Sequence, residues 1–178
     1  MPVRLLHLLT LLLALPLLLF GCDTAEDEPA PQEDPMFVDA LVQLDYLFDD
    51  TDFGPNGTAT VPGNQSVFID GLLSPNFSRR DIATVRGVEG SGVLSVDAPA
   101  GADIDQVVAS AELRYGGLVV GQVTPNDSGA LQVAATDLTS LLDEPSFEST
   151  LRITLDDPSQ LQDYALRARV TLRFELEP

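Results

Sequence analysis

LRARVTLRFELE, residues 166 to 177, alternates apolar and polar side chains over its whole length. The apolar set is Leu166, Ala168, Val170, Leu172, Phe174 and Leu176, and the polar set is Arg167, Arg169, Thr171, Arg173, Glu175 and Glu177. Successive side chains of a β-strand point to opposite faces, so a period of two predicts a long strand with one buried face. The arginines then line the outer face, where we expect cross-strand pairing with acidic residues of a neighbouring strand.

The same period of two runs through other parts of the chain. Residues 38–48 place apolar side chains on one face and Asp39, Gln43 and Asp45 on the other, which predicts a second long strand. Shorter candidates for strands are 58–61, 66–72, 93–98, 130–135 and 151–155.

Two adjacent glycines give the strongest local turn signal. Gly116 and Gly117 separate the apolar runs 107–115 and 118–123, and both can adopt the positive φ angles of a tight hairpin turn. Eight or nine strands separated by Gly, Pro, Asn and Asp predict an all-β fold, a single antiparallel β-sandwich that is immunoglobulin-like or jelly-roll-like.

Helix is predicted only in short pieces. One spans residues 138–142, with Thr136 or Asp137 as its cap, and another opens at Pro158 after Asp157. No long segment has the helical period of 3.6, which excludes an α/β fold.

The first residues have the features of a cleaved signal peptide, predicted to span 1–21. Arg4 supplies a positive charge near the amino terminus, and an apolar run follows over residues 5–20. A membrane-spanning helix needs about 20 predominantly apolar residues, so this run is short for a permanent span.

The end of this segment, Leu19, Phe20, Gly21 and Cys22, resembles the lipobox of bacterial lipoproteins, the recognition site of the lipoprotein signal peptidase. The family has an aliphatic residue three positions before an invariant cysteine and a small residue directly before it. Leu19 and Gly21 meet both conditions, whereas Phe20 is bulkier than the usual middle residue. The resemblance implies that Cys22 becomes the lipidated first residue of the mature chain, which is then anchored without a transmembrane helix.

Cys22 is the only cysteine, so the chain cannot form an internal disulfide. Residues 22–35 are predicted to be an acidic, Pro-rich tether, and residues 36–178 a single domain. Within lipoproteins, an aspartate after the cysteine resembles an inner-membrane retention signal in enterobacteria, and an acidic run there resembles a surface-export signal in other groups. For Asp23 we expect the outer membrane or the cell surface.

The charge of the chain excludes one large class of partners. After removal of Arg4 with the signal peptide, 8 arginines and 28 acidic residues give a formal charge of 8 minus 28, or −20. Such a surface repels phosphate, so we expect no nucleic-acid partner. The high acid content without any lysine resembles halophilic proteins, which predicts a salty habitat.

The residue inventory leaves little catalytic chemistry. His7, the only histidine, leaves with the signal peptide, and lysine is absent. Imidazole-based hydrolases, zinc sites of His or Cys and lysine Schiff bases are therefore unavailable. Carboxylate chemistry remains, so a hydrolase using paired acids is the alternative to a non-enzymatic role. Three tyrosines, Tyr46, Tyr115 and Tyr164, fall on apolar strand faces and are predicted to be core residues.

Calcium is the cofactor that oxygen ligands alone could bind. Asp50 and Asp52 lie two positions apart before Gly54, as acidic residues do in calcium loops, but Phe53 stands where another oxygen donor is needed. The simpler interpretation is a solvated acidic turn. Weaker versions of the same pattern are Asp103 with Asp105 and Asp156 with Asp157.

Three loop aromatics and one basic pair have two interpretations each. Phe53, Phe77 and Phe147 could form an exposed contact patch, but loop aromatics more often hold a loop to the core. Arg79 and Arg80 could bind a carboxylate or phosphate, although on an acidic chain an internal ion pair is the expected role.

The sequence therefore predicts a non-catalytic envelope lipoprotein whose β-sandwich is a structural or interaction module. Its expected partners are the membrane, through the lipid on Cys22, and a protein or glycan of the cell envelope. The alternative is a carboxylate-based hydrolase or a calcium-dependent glycan-binding module on the same scaffold.

Overall fold

The computed structural model describes residues 34–98, 108–123, 130–133, 136–155 and 165–177. The chain divides into two compact units, Met1–Asp34 and Pro35–Pro178, and every strand described below lies in the second. Leu19, Phe20, Gly21 and Cys22 lie outside the described residues. Within the described ranges, no helix is long and apolar enough to span a membrane.

The described residues of the second unit form eleven strands and four short helical turns. The strands are β1 (Phe37–Leu47), β2 (Thr58–Pro62), β3 (Val67–Phe68), β4 (Ile82–Gly87), β5 (Gly92–Ala98), β6 (Val108–Tyr115), β7 (Leu118–Val123), β8 (Ala130–Val133), β9 (Ser146–Phe147), β10 (Ser149–Leu155) and β11 (Ala165–Leu176). The helical turns are Asp50–Asp52, Ile69–Leu72, Arg79–Asp81 and Thr139–Asp143.

Nine strands form one curled antiparallel sheet in the order β1-β11-β5-β8-β7-β6-β10-β2, with β4 pairing the second half of β11. The sheet folds over at β8, whose residues 130–131 pair with β5 and 132–133 with β7. The first layer comprises β1, β11, β4 and β5, and the second comprises β7, β6, β10 and β2. The predicted all-β antiparallel sandwich is confirmed.

The two layers are joined at both corners of the fold. At β8, the missing side chains of Gly92 and Gly121 make room for Leu131, because a Cβ on Gly92 would lie 2.4 Å from the Leu131 carbonyl oxygen. At the opposite corner, the Asn64 backbone N–H donates to the Asp45 carbonyl at 2.9 Å, and the Asp45 N–H donates to the Asn64 side-chain oxygen at 3.2 Å. The turn that follows β2 is therefore hydrogen-bonded to the edge strand β1 at this corner.

The core lies between the layers and is built from one face of each strand. Along β11, Leu166, Ala168, Val170, Leu172, Phe174 and Leu176 are all buried, as the alternation in the sequence predicts. On β1, Val42, Leu44 and Tyr46 are buried in the same cluster. Gly116 and Gly117 form the predicted hairpin turn, with φ angles of 52° and 85°.

The structure departs from the sequence prediction at β4. This strand was not predicted because its buried residues Ile82 and Val85 are three positions apart. A register shift between Glu175 and Leu176 of its partner β11 interrupts the period of two. A local pattern of alternation therefore does not reveal β4.

The predicted strand at 66–72 is wrong over most of its length. Only Val67–Phe68 is a strand, and Ile69–Leu72 is a helical turn. Ile69 and Leu73 are both buried and lie four residues apart, which is the spacing of a helix. The predicted helical piece at 138–142 is confirmed as the turn Thr139–Asp143, where the Asp137 carboxylate accepts the Thr139 backbone N–H. The piece predicted at Pro158 lies outside the described residues.

Candidate interaction surface

The acidic turn after β1 uses its carboxylates to hold its own backbone. The Asp52 carboxylate accepts the Asp49 N–H at 2.9 Å, and the Asp49 carboxylate accepts the Thr51 N–H at 2.7 Å. A hydrogen bond from the Thr51 hydroxyl is the main cause that holds the pKa of Asp49 below its usual value. Asp52, predicted as a calcium ligand, therefore caps a helical turn, while the side chain of Asp50 is outside what the structure describes.

The other acidic residues of the described ranges are also spread over the surface. No group of three or more His, Cys, Asp or Glu side chains close enough to hold a metal ion occurs within these ranges. None of the Asp and Glu side chains described is buried. Asp103, Asp105, Asp156 and Asp157 lie outside the described residues.

Aromatic residues of the loops hold those loops to the core. Phe147 is buried, and its ring centroid lies 5.0 Å from that of Tyr115. Phe53 is half-buried and stacks on Phe48 at 5.9 Å, and Phe77 packs against the core cluster. The prediction that these aromatics hold loops to the core is confirmed for Phe53 and Phe77, whereas Phe147 is buried on strand β9 and not in a loop. None of the three belongs to an exposed patch. Tyr46 and Tyr115 are fully buried, as predicted, whereas Tyr164 lies outside the described residues.

The two adjacent arginines, Arg79 and Arg80, differ in how deeply they are buried. Arg79 is half-buried, and its Nη1 atom is buried without a hydrogen-bond partner in the structure. Its backbone N–H donates to the Asp70 carboxylate at 2.9 Å. Arg80 is exposed. Neither guanidinium forms a salt bridge among the described residues, so the internal ion pair expected for this pair is not found there.

The outer face of the first layer carries three side-chain pairs between β1 and β11. Each joins residues directly opposite in the register: Asp39 with Arg173, Asp45 with Arg167, and Gln43 with Arg169. Arg173 binds both carboxylate oxygens of Asp39 at 2.7 Å, and this is the main cause that lowers the pKa of Asp39. The predicted pairing of the β11 arginines with a neighbouring strand is confirmed, with Gln43 as the one uncharged partner.

A phenylalanine lies among the arginines at the start of β1. The guanidinium carbons of Arg86 and Arg173 are 5.7 and 5.6 Å from the centre of the Phe37 ring. Both distances are within the range of cation–π attraction. The opposite residue, Glu175, accepts a hydrogen bond from the Thr84 hydroxyl at 2.9 Å. Phe37 is thus fixed on the surface by its charged neighbours while 41% of it stays exposed.

Large apolar side chains are exposed on the same face. Leu41 is 59% exposed and Leu47 is 69% exposed, and both lie on β1 between the polar residues of its outer side. Met36, directly before β1, is 61% exposed. We call Met36, Phe37, Leu41 and Leu47 the β1 apolar row. It contains four of the six large hydrophobic residues that are exposed in the described part of the chain, the other two being Phe68 and Val93.

The positions of these apolar residues in the sequence already indicated an exposed row. The prediction of β1 considered only the polar residues on this face. Phe37, Leu41 and Leu47 have odd numbers, like Asp39, Gln43 and Asp45, and therefore lie on the face that was predicted to be polar.

A second surface feature is a polar cleft of about 330 Å³ on the outer face of the second layer. Glu112 lies at its centre and accepts hydrogen bonds from Arg114 at 2.7 Å and from Gln122 at 3.1 Å. The Arg114 hydrogen bond is the main cause that lowers the pKa of Glu112. Among the described residues that line the cleft, Glu112 is the only acidic one, so the paired carboxylates that glycoside hydrolysis needs are not found there within the described ranges.

Neither a comparison with models of protein families nor one with curated protein sequences finds a match to this chain.

Proposed function

We propose that this chain is a lipoprotein of the bacterial cell envelope, held in the outer membrane by lipid on Cys22, whose β-sandwich is a non-catalytic interaction module. The observation that carries the proposal is the lipobox-like stretch from Leu19 to Cys22 at the end of a short apolar run. The tether that follows leads directly into β1, whose exposed apolar row supplies a contact surface.

The carboxylates support a non-catalytic role. A general acid in a glycosidase needs a raised pKa, which burial or a neighbouring negative charge provides. Hydrogen bonds from Arg173 lower the pKa of Asp39, and those from Arg114 lower the pKa of Glu112. Both groups are suited to ion pairing at a surface. The described residues that line the polar cleft include one carboxylate, that of Glu112, and its pKa is lowered. This observation supports neither the hydrolase nor the calcium-dependent glycan binder.

Replacing the cysteine tests the anchor. We expect Cys22→Ala to abolish lipid attachment and processing, and globomycin, an inhibitor of the lipoprotein signal peptidase, to cause the unchanged chain to accumulate as an unprocessed precursor. Phe20→Ala is the matched control, because it keeps Leu19, Gly21 and Cys22 in place. Membrane fractionation on a density gradient should place the unchanged chain with the outer membrane. The anchor is disproved if Cys22→Ala leaves membrane attachment and processing unchanged.

A further inference from the structure

Three strands of the described sheet, β1, β2 and β4, pair with only one other strand, and of these only β1 lacks protection over most of its free edge. The edge of β4 is covered, since the Leu138 N–H donates to the Val85 carbonyl at 2.8 Å and the Val85 N–H donates to the Thr139 hydroxyl at 3.1 Å. The edge of β2 belongs to a strand of five residues that ends in Pro62, and a proline cannot donate a backbone hydrogen bond. The edge of β1 is covered at Asp45, by Asn64, but from Phe37 to Gln43 it has neither device.

β1 is a long edge strand with a regular backbone. It has 11 residues without proline, and each pairs with β11 in a register without a bulge. Short length, proline, bulges and charged side chains, above all lysine, are the usual means by which native proteins block edge-to-edge pairing. β1 has no proline, lysine or bulge, and its two charged residues, Asp39 and Asp45, are paired with arginines of β11, so its edge is suited to accept another strand.

The direction of the backbone groups of β1 follows from the partners of β11. Thr171 is opposite Leu41, yet its N–H donates to the Ser91 hydroxyl and its carbonyl accepts from Val88, on the far side of β11. Leu41 and Thr171 are therefore a pair without mutual hydrogen bonds, and the backbone groups of Leu41 point away from β11. At Asp45, which has the same orientation, Asn64 already occupies these groups.

The alternation along a strand extends this result to its neighbours. Phe37, Asp39, Leu41 and Gln43 all direct N–H and carbonyl groups to the free edge. Among the residues that the structure describes, no other segment forms a backbone hydrogen bond with these groups. A segment of seven residues, 37–43, thus presents an open ladder of donors and acceptors.

The charge of this face also differs from that of the whole chain. The outer faces of strands β1, β11 and β4 carry four arginines and three acidic residues, which gives a sum of 4 minus 3, or +1, for these three strands, against −19 for the chain. They are Arg86, Arg167, Arg169, Arg173, Asp39, Asp45 and Glu175. Two copies of an acidic protein repel each other least through such a face.

We propose that β1 pairs antiparallel with β1 of a second copy of this chain, through residues 37–43 of each, so that the first layers of two molecules form one continuous sheet. In this arrangement a two-fold axis passes beside Ala40, Asp39 faces Leu41 of the second copy, and Phe37 faces its Gln43. This register uses every free backbone group from Phe37 to Gln43 and avoids Asp45. It forms roughly eight backbone hydrogen bonds.

A second copy fits this edge better than an unrelated strand does. The edge is self-complementary under a two-fold axis, which is the commonest symmetry of soluble oligomers. The two Phe37 residues would lie about 20 Å apart along the strands. Tethers that reach roughly 40 Å from the membrane allow both copies to be anchored in one leaflet, where anchoring raises their effective concentration. This inference names the partner of the proposed interaction module and so rests on the proposed function.

Disulfide cross-linking of the full chain tests the pairing. Asp39→Cys and Leu41→Cys variants carry different tags, are expressed together and are oxidised in membranes. Residues facing each other in a hydrogen-bonded pair have Cα atoms about 5.5 Å apart, within reach of a disulfide. We expect a disulfide-linked dimer that contains both tags. Leu41→Cys with Leu47→Cys is the matched control and should give none, because these positions do not face each other in the proposed register.

Two outcomes would overturn the pairing. One is the absence of a doubly tagged dimer although both variants keep the melting temperature of the unchanged chain. The other is a cross-link from Asp39→Cys to a different protein.

Leu41→Asp, which places a negative charge opposite Asp39, should lower the dimer yield at least about tenfold, whereas Leu47→Asp should not. Repeating the experiment in a Cys22→Ala background separates dimer formation from anchoring, because cross-linking there supports the dimer even when the anchor proposal fails.

Discussion

The hydroxyl groups of Tyr46, Ser149 and Tyr115 lie in one region of the core, and they are not equally satisfied. Tyr46 and Ser149 are hydrogen-bonded to each other, whereas the Tyr115 hydroxyl has no hydrogen-bond partner among the described residues. Burial raises the pKa of Tyr46 to about 12 and that of Tyr115 further. Both tyrosines are therefore neutral structural residues at ordinary pH.

This difference predicts opposite effects of the same substitution. Tyr46→Phe leaves the buried Ser149 hydroxyl without a partner and should lower the free energy of unfolding by about 1–3 kcal/mol. Tyr115→Phe removes a hydroxyl that is already unpaired and should be neutral or stabilising. Urea denaturation measures both. The double variant Tyr46→Phe/Ser149→Ala should cost less than the sum of its single changes. A Tyr115→Phe variant as unstable as Tyr46→Phe would contradict the assignment.

The ion pair between Asp39 and Arg173 predicts a pH dependence. Because the folded-state pKa of Asp39 lies below its unfolded value of 3.8, the pair stabilises the fold above that pH and loses this effect as the pH falls through the folded-state pKa. Asp39→Asn should lower the melting temperature at neutral pH by at most a few degrees, since exposed pairs contribute less than about 1 kcal/mol. Calorimetry should show this difference vanishing at strongly acidic pH.

Asp143 supplies the control for that experiment. Its exposed side chain makes no hydrogen bond or ion pair among the described residues, so Asp143→Asn should have little effect at either pH. A difference between Asp39→Asn and the unchanged chain that stays constant from neutral to acidic pH would show that Arg173 does not favour the charged carboxylate.

Two glycines test different features of the strands and turns. A Cβ at Gly92 would lie 2.4 Å from the Leu131 carbonyl at the fold-over of β8, so Gly92→Ala should destabilise by about 3 kcal/mol or more. Gly117 has a φ of 85° with no atom within 4 Å of an added Cβ, so Gly117→Ala should cost only about 1 kcal/mol of backbone strain. Equal costs in urea denaturation would contradict the close approach at β8.

The contrast between β11 and β4 shows which elements a sequence can reveal. β11 is buried on one face over twelve residues, so its alternation is visible without any knowledge of its neighbours. β4 has an extra residue, Ala83, where it pairs with the end of β11, because Glu175 is opposite Thr84 and Leu176 is opposite Ile82, and its burial pattern therefore departs from a period of two. Local pattern therefore predicts strands in regular pairs and misses strands whose register is interrupted.

The interaction surface was only partly predictable from pattern. The outer face was correctly predicted for Asp39, Gln43 and Asp45 of β1, and the same alternation places Leu41 there. That β1 is an edge strand is decided by the order of all the strands, which a local pattern does not contain. The burial of Phe53 and Phe147 against the core was predictable, because a large apolar ring in a polar segment is stabilised by packing on the core.

At the scale of the whole molecule, negative charge is the dominant electrostatic feature. With a formal net charge of −19, repulsion between carboxylates destabilises the compact state at neutral pH. Raising NaCl from about 0.01 M to about 1 M shortens the Debye length from roughly 30 to 3 Å, and we expect the melting temperature to rise. At a pH near the isoelectric point of about 4.1 the rise should be much smaller. A melting temperature that falls with salt at neutral pH would contradict this account.

The proposed function depends above all on lipid attachment at Cys22, and the intact mass of the full-length gene product extracted from membranes tests this attachment. We expect a chain that begins at Cys22 and carries the additional mass of diacylglycerol on the thiol. A mature chain that begins at another residue, or that begins at Cys22 with an unmodified thiol, would contradict it.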